Sequence, residues 1–190
     1  CEVTDKIQAC KTAVLPGFLQ DLEKFGLSLQ GLHTVVLGAG GASKAVCLAL
    51  AEKGAKVTVC NRTVKKAEEL CKLAPEGMTP DEFTINKLCK LSGEAGLVVN
   101  CTSLGMAGTG GQFEDLSFLK ELPPAAAVCD LIYHPAETEL LCRAREAGHP
   151  ALNGLGMLIY QAVYALEHFA DVALDAGAMR ALVEQALKEL

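Results

Sequence analysis

Residues 33–43, His-Thr-Val-Val-Leu-Gly-Ala-Gly-Gly-Ala-Ser, restrict the fold more than any other stretch of the chain. His33 to Leu37 is a short apolar run of the kind that forms a strand buried on both faces. Gly38 follows it without a spacer. Beyond Gly41 the small and apolar residues Ala42, Ala45, Val46, Ala49 and Leu50 recur at helical spacing until Gly54. Lys56 to Cys60 then supplies a second strand, so residues 33–60 read as one βαβ unit with the right-handed crossover such units adopt. A glycine turn alone is weakly diagnostic because structural turns also collect glycine; the strand before it and the helix after it are what give it meaning.

The rest of the chain continues the alternation. A second helix is predicted over Val64 to Leu73, and buried strands over Leu97-Val98-Val99-Asn100 and Ala127-Val128-Cys129-Asp130-Leu131. Thr79-Pro80-Asp81-Glu82 has N-cap, N1 proline and N3 glutamate in register, which predicts a helix running through Leu88, Cys89 and Leu91 to Gly93. A third strand within 74–79 is only weakly signalled. Short helices are expected near 115–122 and over Thr138 to Ala147. Two longer ones, Leu155 to Phe169 and Ala176 to Leu190, close the chain, the first with a stripe of Leu155, Leu158, Ile159, Ala162, Leu166 and Phe169. The predicted fold class is α/β: a doubly wound, mostly parallel Rossmann sheet with helices on both faces and two C-terminal helices. Residues 1–26 read as a lead-in with a linking helix from Gly17 to Phe25, and 27–190 as the Rossmann domain.

Chemistry follows from two places. Gly38 forms the tight turn, Gly40 permits close approach of backbone to a diphosphate, and the helix beginning at Gly41 presents free N–H groups and a partial positive charge to an anion. Ser43 stands where a third glycine normally packs helix on strand, a small residue that keeps that approach close. At the end of the second strand an acidic residue would bind the free ribose hydroxyl of NAD, and none is present. Asn61, Arg62 and Thr63 stand there instead, with Lys65 and Lys66 one turn on, a set suited to a 2′-phosphate. NADP(H) is therefore the expected cofactor; a solvated helix start with a basic face is the bland alternative for those residues.

Composition excludes other classes. The 190 residues carry a net charge of −6 and no basic run longer than Lys65-Lys66, which argues against a nucleic-acid partner. Apolar stretches are interrupted within about a dozen residues, short of the ~20 that span a bilayer, so no membrane segment is expected. Nine cysteines lie with no two within four positions of each other, which excludes zinc-knuckle spacing and leaves no expected metal site. Several occupy strand-core positions, as reduced thiols of a cytoplasmic protein would.

Five blocks now stand in order: Gly38-Ala39-Gly40-Gly41-Ala42-Ser43; Asn61-Arg62-Thr63; Asn-Cys-Thr-Ser-Leu-Gly-Met at 100–106; Asp-Leu-Ile-Tyr-His-Pro at 130–135 with Thr-Glu-Leu-Leu at 138–141; and Asn-Gly-Leu-Gly-Met-Leu at 153–158 with Gln161. Together they resemble shikimate dehydrogenase over residues 17–190. The resemblance implies that Gly38 to Ser43 bind the pyrophosphate, and that Asn61, Arg62, Thr63 and Lys66 bind the adenosine phosphate. It places Thr102, Ser103, Leu104, Gly105 and Met106 at the nicotinamide-side ribose, with Leu131 and Gly154 bordering the nicotinamide. Tyr133 and Gln161 match positions that face the polyol substrate; without the motifs they read as well as a core tyrosine and a helix-face glutamine.

Family members also carry an N-terminal substrate domain with an Asn-x-Thr-x-Pro-x-Lys segment and an Asn-Thr-Asp-Gly segment, which hold the catalytic Lys and Asp. Neither is found here, and Val14 stands where that Asp is expected. No catalytic residue is therefore predicted within these 190 residues. The sequence leads to the NADP(H)-binding portion of a shikimate dehydrogenase, acting on shikimate and 3-dehydroshikimate when a substrate domain is supplied and turning over little alone. Two alternatives remain: a non-catalytic NADP(H)-binding or regulatory module that works with a partner, and a quinate dehydrogenase-like enzyme. Loss of the cover a substrate domain would give predicts exposed apolar surface around Leu155 to Tyr164 or Phe18 to Leu22, and hence self-association into a homo-oligomer.

Overall fold

The computed structural model describes residues 18–23, 26–109, 111–170 and 173–188. Six strands, β1 (His33–Leu37), β2 (Lys56–Asn61), β3 (Met78–Glu82), β4 (Leu97–Asn100), β5 (Ala127–Asp130) and β6 (Ala151–Leu152), form one sheet. Its order is β3-β2-β1-β4-β5-β6, and every neighbouring pair is parallel. The helices are α1 (Gly41–Glu52), α2 (Val64–Cys71), α3 (Ile85–Ser92), α4 (Glu139–Glu146), α5 (Leu155–Ala170) and α6 (Ala176–Lys188), with a 3₁₀ turn at Ser117–Glu121. The chain reverses direction across the sheet between β1 and β4, and in such sheets that switch opens a crevice at the carboxyl ends of the strands.

The strands alternate as a sheet covered on both faces requires. Val36, Val59, Val99 and Cys129 turn to one face, where Val46 and Leu50 of α1, Ala67 and Leu70 of α2, and Phe18 and Leu22 of the helical segment over 18–23 cover them. Val35, Leu37, Cys60, Val98 and Val128 turn to the other, under Leu88 of α3, Phe118 and Leu119 of the 3₁₀ turn, and Leu140 and Leu141 of α4. The single-residue alternation between Val35 and Val36 thus builds two cores from one strand.

Thr79-Pro80-Asp81-Glu82 does not start a helix. It forms most of β3, and the helix begins at Ile85 behind Thr84, whose backbone is extended. β3 is the edge strand beside β2, where a proline's missing N–H interrupts no second ladder, so a segment with helix-start chemistry pairs as strand. β6, only two residues long, was too short to signal itself by periodicity. The expected apolar patch also moves. Phe18 and Leu22 are buried, as are Ile159, Tyr160 and Val163, and among the described residues the exposed large apolar side chains of the closing helices are Leu166 and Phe169 on α5 and Leu182 on α6. Among the described residues no helix is long and apolar enough to cross a membrane.

Candidate cofactor-binding site

Gly38 sits at the switch point. Its φ of 102° lies in the left-handed region that favours glycine, and a Cβ there would come 3.0 Å from Thr102 Cγ2 and 3.2 Å from the Cys101 carbonyl. The ends of β1 and β4 therefore close on each other only through a glycine. Ser43, fully buried on the first turn of α1, donates from Oγ to the Gly38 carbonyl at 2.7 Å and locks the corner from behind. Gly40 caps α1 in extended conformation and Gly41 and Ala42 follow it, all three exposed, with no atom within 4 Å of where a Cβ on Gly40 or Gly41 would stand. The first N–H groups of α1 thus face an open space.

That space is a cleft of about 290 Å³ lined by Gly38, Ala39, Gly40, Asn61, Arg62, Thr63, Lys66, Phe83, Cys101, Thr102, Ser103 and Leu104. Asn61, last residue of β2, donates from its side-chain amide to the Thr63 carbonyl at 2.9 Å and shapes the turn that presents Arg62. Arg62 and Lys66 are both exposed, and no carboxylate lines the cleft, so the charged side chains on its wall are all positive. Burial pushes the Cys101 thiol up to about 12, which keeps it protonated and unreactive as a wall.

On the β4 side, the loop from Cys101 to Leu104 is held by a polar network centred on the buried Asn100 and Asp130. Asn100 accepts from the Thr102 backbone N–H at 3.0 Å and its hydroxyl at 2.7 Å, and donates to Asp130 Oδ1 at 3.0 Å and to the Leu104 carbonyl at 3.3 Å. Thr102 Oγ1 in turn accepts from the Leu104 N–H. Asp130 accepts from the Ile132 N–H and, at 2.7 Å, from the hydroxyl of Thr138, which also caps α4. Burial raises the Asp130 carboxyl above its ordinary value even though Thr138, Ile132 and Asn100 all hydrogen-bond its charged form.

The residues singled out in the sequence fall into five sets. Gly38, Ala39, Gly40, Asn61, Arg62, Thr63, Lys66, Thr102, Ser103 and Leu104 share the one cleft; Gly41, Ala42 and Ser43 lie on the first turn of α1 beside it. Gly105 is buried against Thr138 and Ile132, and Met106 is exposed further along the same loop. Leu131 follows β5, and a Cβ on Gly154 would collide with its carbonyl, so the start of α5 rests directly on that backbone. Tyr133 is 49% exposed and Gln161 lies half-buried on α5, neither of them on the cleft wall. Phe83 and Cys101 line the cleft and were missed. Cys101 lay inside a motif already noticed, whereas Phe83 was hidden by reading 79–91 as helix.

A doubly wound parallel sheet with a glycine corner at its switch point and a basic tip on the adjoining strand defines a Rossmann-type domain. The sequence profile of the Shikimate / quinate 5-dehydrogenase family matches residues 21–107. Over that stretch, and through the relatives below over most of its length, the chain is similar to shikimate dehydrogenases. It is 40% identical over 167 residues to a shikimate dehydrogenase (NADP(+)) of Alkaliphilus oremlandii, covering 83% of this chain and 57% of that relative. With the Methylobacterium radiotolerans enzyme of the same name it shares 48% over 138 residues, 72% of this chain and 47% of the other. The chain thus spans about half the length of these relatives. The shikimate 5-dehydrogenase of Thermus thermophilus, solved with NADP(H) and shikimate, superposes with a TM-score of 0.72 at 32% identity over 92% of this chain and 62% of that one. The quinate dehydrogenase of Corynebacterium glutamicum, solved with NAD, superposes at 0.77 with 28% identity over the same shares.

Proposed function

We propose that the cleft binds NADP(H) and that the chain is the cofactor-binding portion of a shikimate dehydrogenase, whose reaction is the reversible reduction of 3-dehydroshikimate to shikimate. The observation that carries this is the meeting, in one cleft without carboxylates, of a glycine corner, a helix N-terminus and the exposed cations Arg62 and Lys66. In this reading the first turn of α1, Gly41 to Ser43, takes the diphosphate with Gly38 to Gly40, and Arg62 and Lys66 take the 2′-phosphate with Asn61 and Thr63. Thr102 to Met106, Leu131 and Gly154 border the nicotinamide half. Tyr133 and Gln161 meet the substrate, where a phenol and a carboxamide hydrogen-bond hydroxyls or a carboxylate. When bound, the cofactor supplies hydride; removing the hydroxyl proton in the reverse direction needs a positioned base. We assign that base to a substrate domain, so these 190 residues bind cofactor and turn over little by themselves. The described cysteines are all free, which accords with a reducing cytoplasm.

Isothermal titration of NADPH and NADH tests the reading directly. NADPH is expected to bind more tightly, and Arg62→Ala to weaken it roughly 10-fold or more while leaving NADH nearly unchanged. Equal losses for the two coenzymes overturn the 2′-phosphate assignment. A quinate dehydrogenase is the second reading, raised by a family profile that covers both shikimate and quinate 5-dehydrogenases and by a quinate enzyme of the same fold. Joining a substrate domain and comparing oxidation of quinate and shikimate separates the two, because a site built for one hydroxyl more leaves polar groups unpaired with the other.

A further inference from the structure

We propose that Phe83 is the stacking platform for the purine ring of the bound nucleotide, working opposite Arg62; this rests on the NADP(H) reading above and names a residue which that reading leaves without a role. The β2–β3 ladder pairs Asn61 with Glu82, so one step further Arg62 and Phe83 leave their strands level with each other. Adjacent strands lie ~4.8 Å apart, which puts the two residues at the same height on neighbouring tips of the sheet. The Phe83 N–H donates to the Asn61 carbonyl at 3.3 Å, tying the turn that carries the phenyl ring to the turn that carries the guanidinium.

Phe83 is only half-buried and lines the cleft together with Arg62, Thr63 and Lys66. Phe83 also packs against the core under α3, and an aromatic contact helps to fix its orientation. The ring meets Phe113 edge-to-face, with centroids 6.3 Å apart and planes at 67°, so Phe113 holds the Phe83 ring from outside the cleft, whose wall it does not join. A phenyl ring held in one plane on the wall of a cleft that also carries Arg62 and Lys66 is suited to a ligand with both a phosphate and a flat π face. Aromatic and guanidinium surfaces both stack bases, and a purine offers the largest face to them. The 2′-phosphate then falls to Lys66 and Arg62 on the α2 side.

The test uses the 190-residue chain and 2′,5′-ADP, which carries the base and the 2′-phosphate without the nicotinamide. On binding, the adenine H2 and H8 resonances should move upfield under the Phe83 ring current, with intermolecular Overhauser contacts to the Phe83 ring protons. Phe83→Leu should remove most of that shift and raise the Kd roughly 10-fold, and Phe83→Tyr should restore both. Unchanged shifts and affinity in F83L, or absence of the Overhauser contacts in the unsubstituted protein, overturn the proposal whether or not F83L folds. Failure of the unsubstituted protein to bind 2′,5′-ADP overturns the NADP(H) reading itself and the proposal with it, so the two failures are told apart.

Discussion

Asp130 shows how a single buried charge is used to hold two loops. Its carboxylate receives Asn100 from β4, the Ile132 N–H from its own strand end and the Thr138 hydroxyl at the start of α4. Those partners favour the charged form, yet burial outweighs them and the carboxyl stays above the ordinary value of 3.8. The folded protein therefore holds this proton more tightly than the unfolded chain does. The stability that comes from it is complete below the unfolded value and is lost as pH rises through the raised folded value. Asp130→Asn removes that dependence while leaving one acceptor and one amide donor for the same neighbours. Denaturant titrations of the two proteins at a series of pH values should show the stability of Asp130→Asn improving relative to the parent as pH rises from about 4. Other carboxyls contribute equally to both proteins and cancel in the difference. Parallel pH profiles would mean that Asp130 titrates as an ordinary surface acid.

Among the elements, what could be read from the sequence and what could not divide along a physical line. The β1–α1–β2 unit was legible because its signals agree: a short apolar strand, a corner where only glycine fits against Thr102, and a helix with 3.6-residue spacing. The cleft residues Asn61, Arg62 and Thr63 were legible for the same reason, standing in sequence where β2 ends. β3 was not, because Thr79-Pro80-Asp81-Glu82 carries local chemistry for a helix start while the vacant edge of β2 decides its structure from 21 residues away. That one misreading also concealed Phe83. The link between the first and last helices was equally invisible, since it joins residues 159 positions apart. Asp21, on the helical segment over 18–23, is ion-paired to Arg180 on α6, and the guanidinium lies 5.8 Å from the centroid of the Tyr160 ring on α5. Gly156 passes so close to this pair that a Cβ there would strike the Asp21 carboxylate. Because both charged side chains are largely buried, removing one takes away an ion pair that water replaces poorly. Asp21→Ala should cost about 3 kcal/mol in urea unfolding. Asp21→Ala combined with Arg180→Ala should cost less than the sum of the singles. A loss within about 0.5 kcal/mol of zero for Asp21→Ala would show that the pair is solvated and does not fasten these helices.

For the molecule as a whole, the placement of apolar surface follows from how the sheet is covered. Residues 18–23 and α1 to α4, with the 3₁₀ turn, close both faces, so Phe18 and Leu22 are spent inside the core and offer nothing to a partner. The closing helices differ. α5 packs its first half inward through Ile159, Tyr160 and Val163, but further along the helix Leu166 is 50% and Phe169 67% exposed, and Leu182 on α6 is 61% exposed. Three large apolar side chains at least half exposed on two contacting helices favour association with any complementary surface, and a second copy of the chain is always at hand. The net charge of −6 opposes that contact through repulsion between copies, and salt screens the repulsion while leaving apolar burial intact. Association should therefore strengthen with salt as well as with concentration. Light scattering behind a sizing column should give masses above the monomer's 20.0 kDa as protein and sodium chloride are raised. Replacing Leu166, Phe169 and Leu182 together by Ser should return the protein to monomer without changing NADPH affinity, because none of the three lines the cleft. A mass that stays at the monomer value at every protein and salt concentration would show that these side chains are too scattered to form a contact surface.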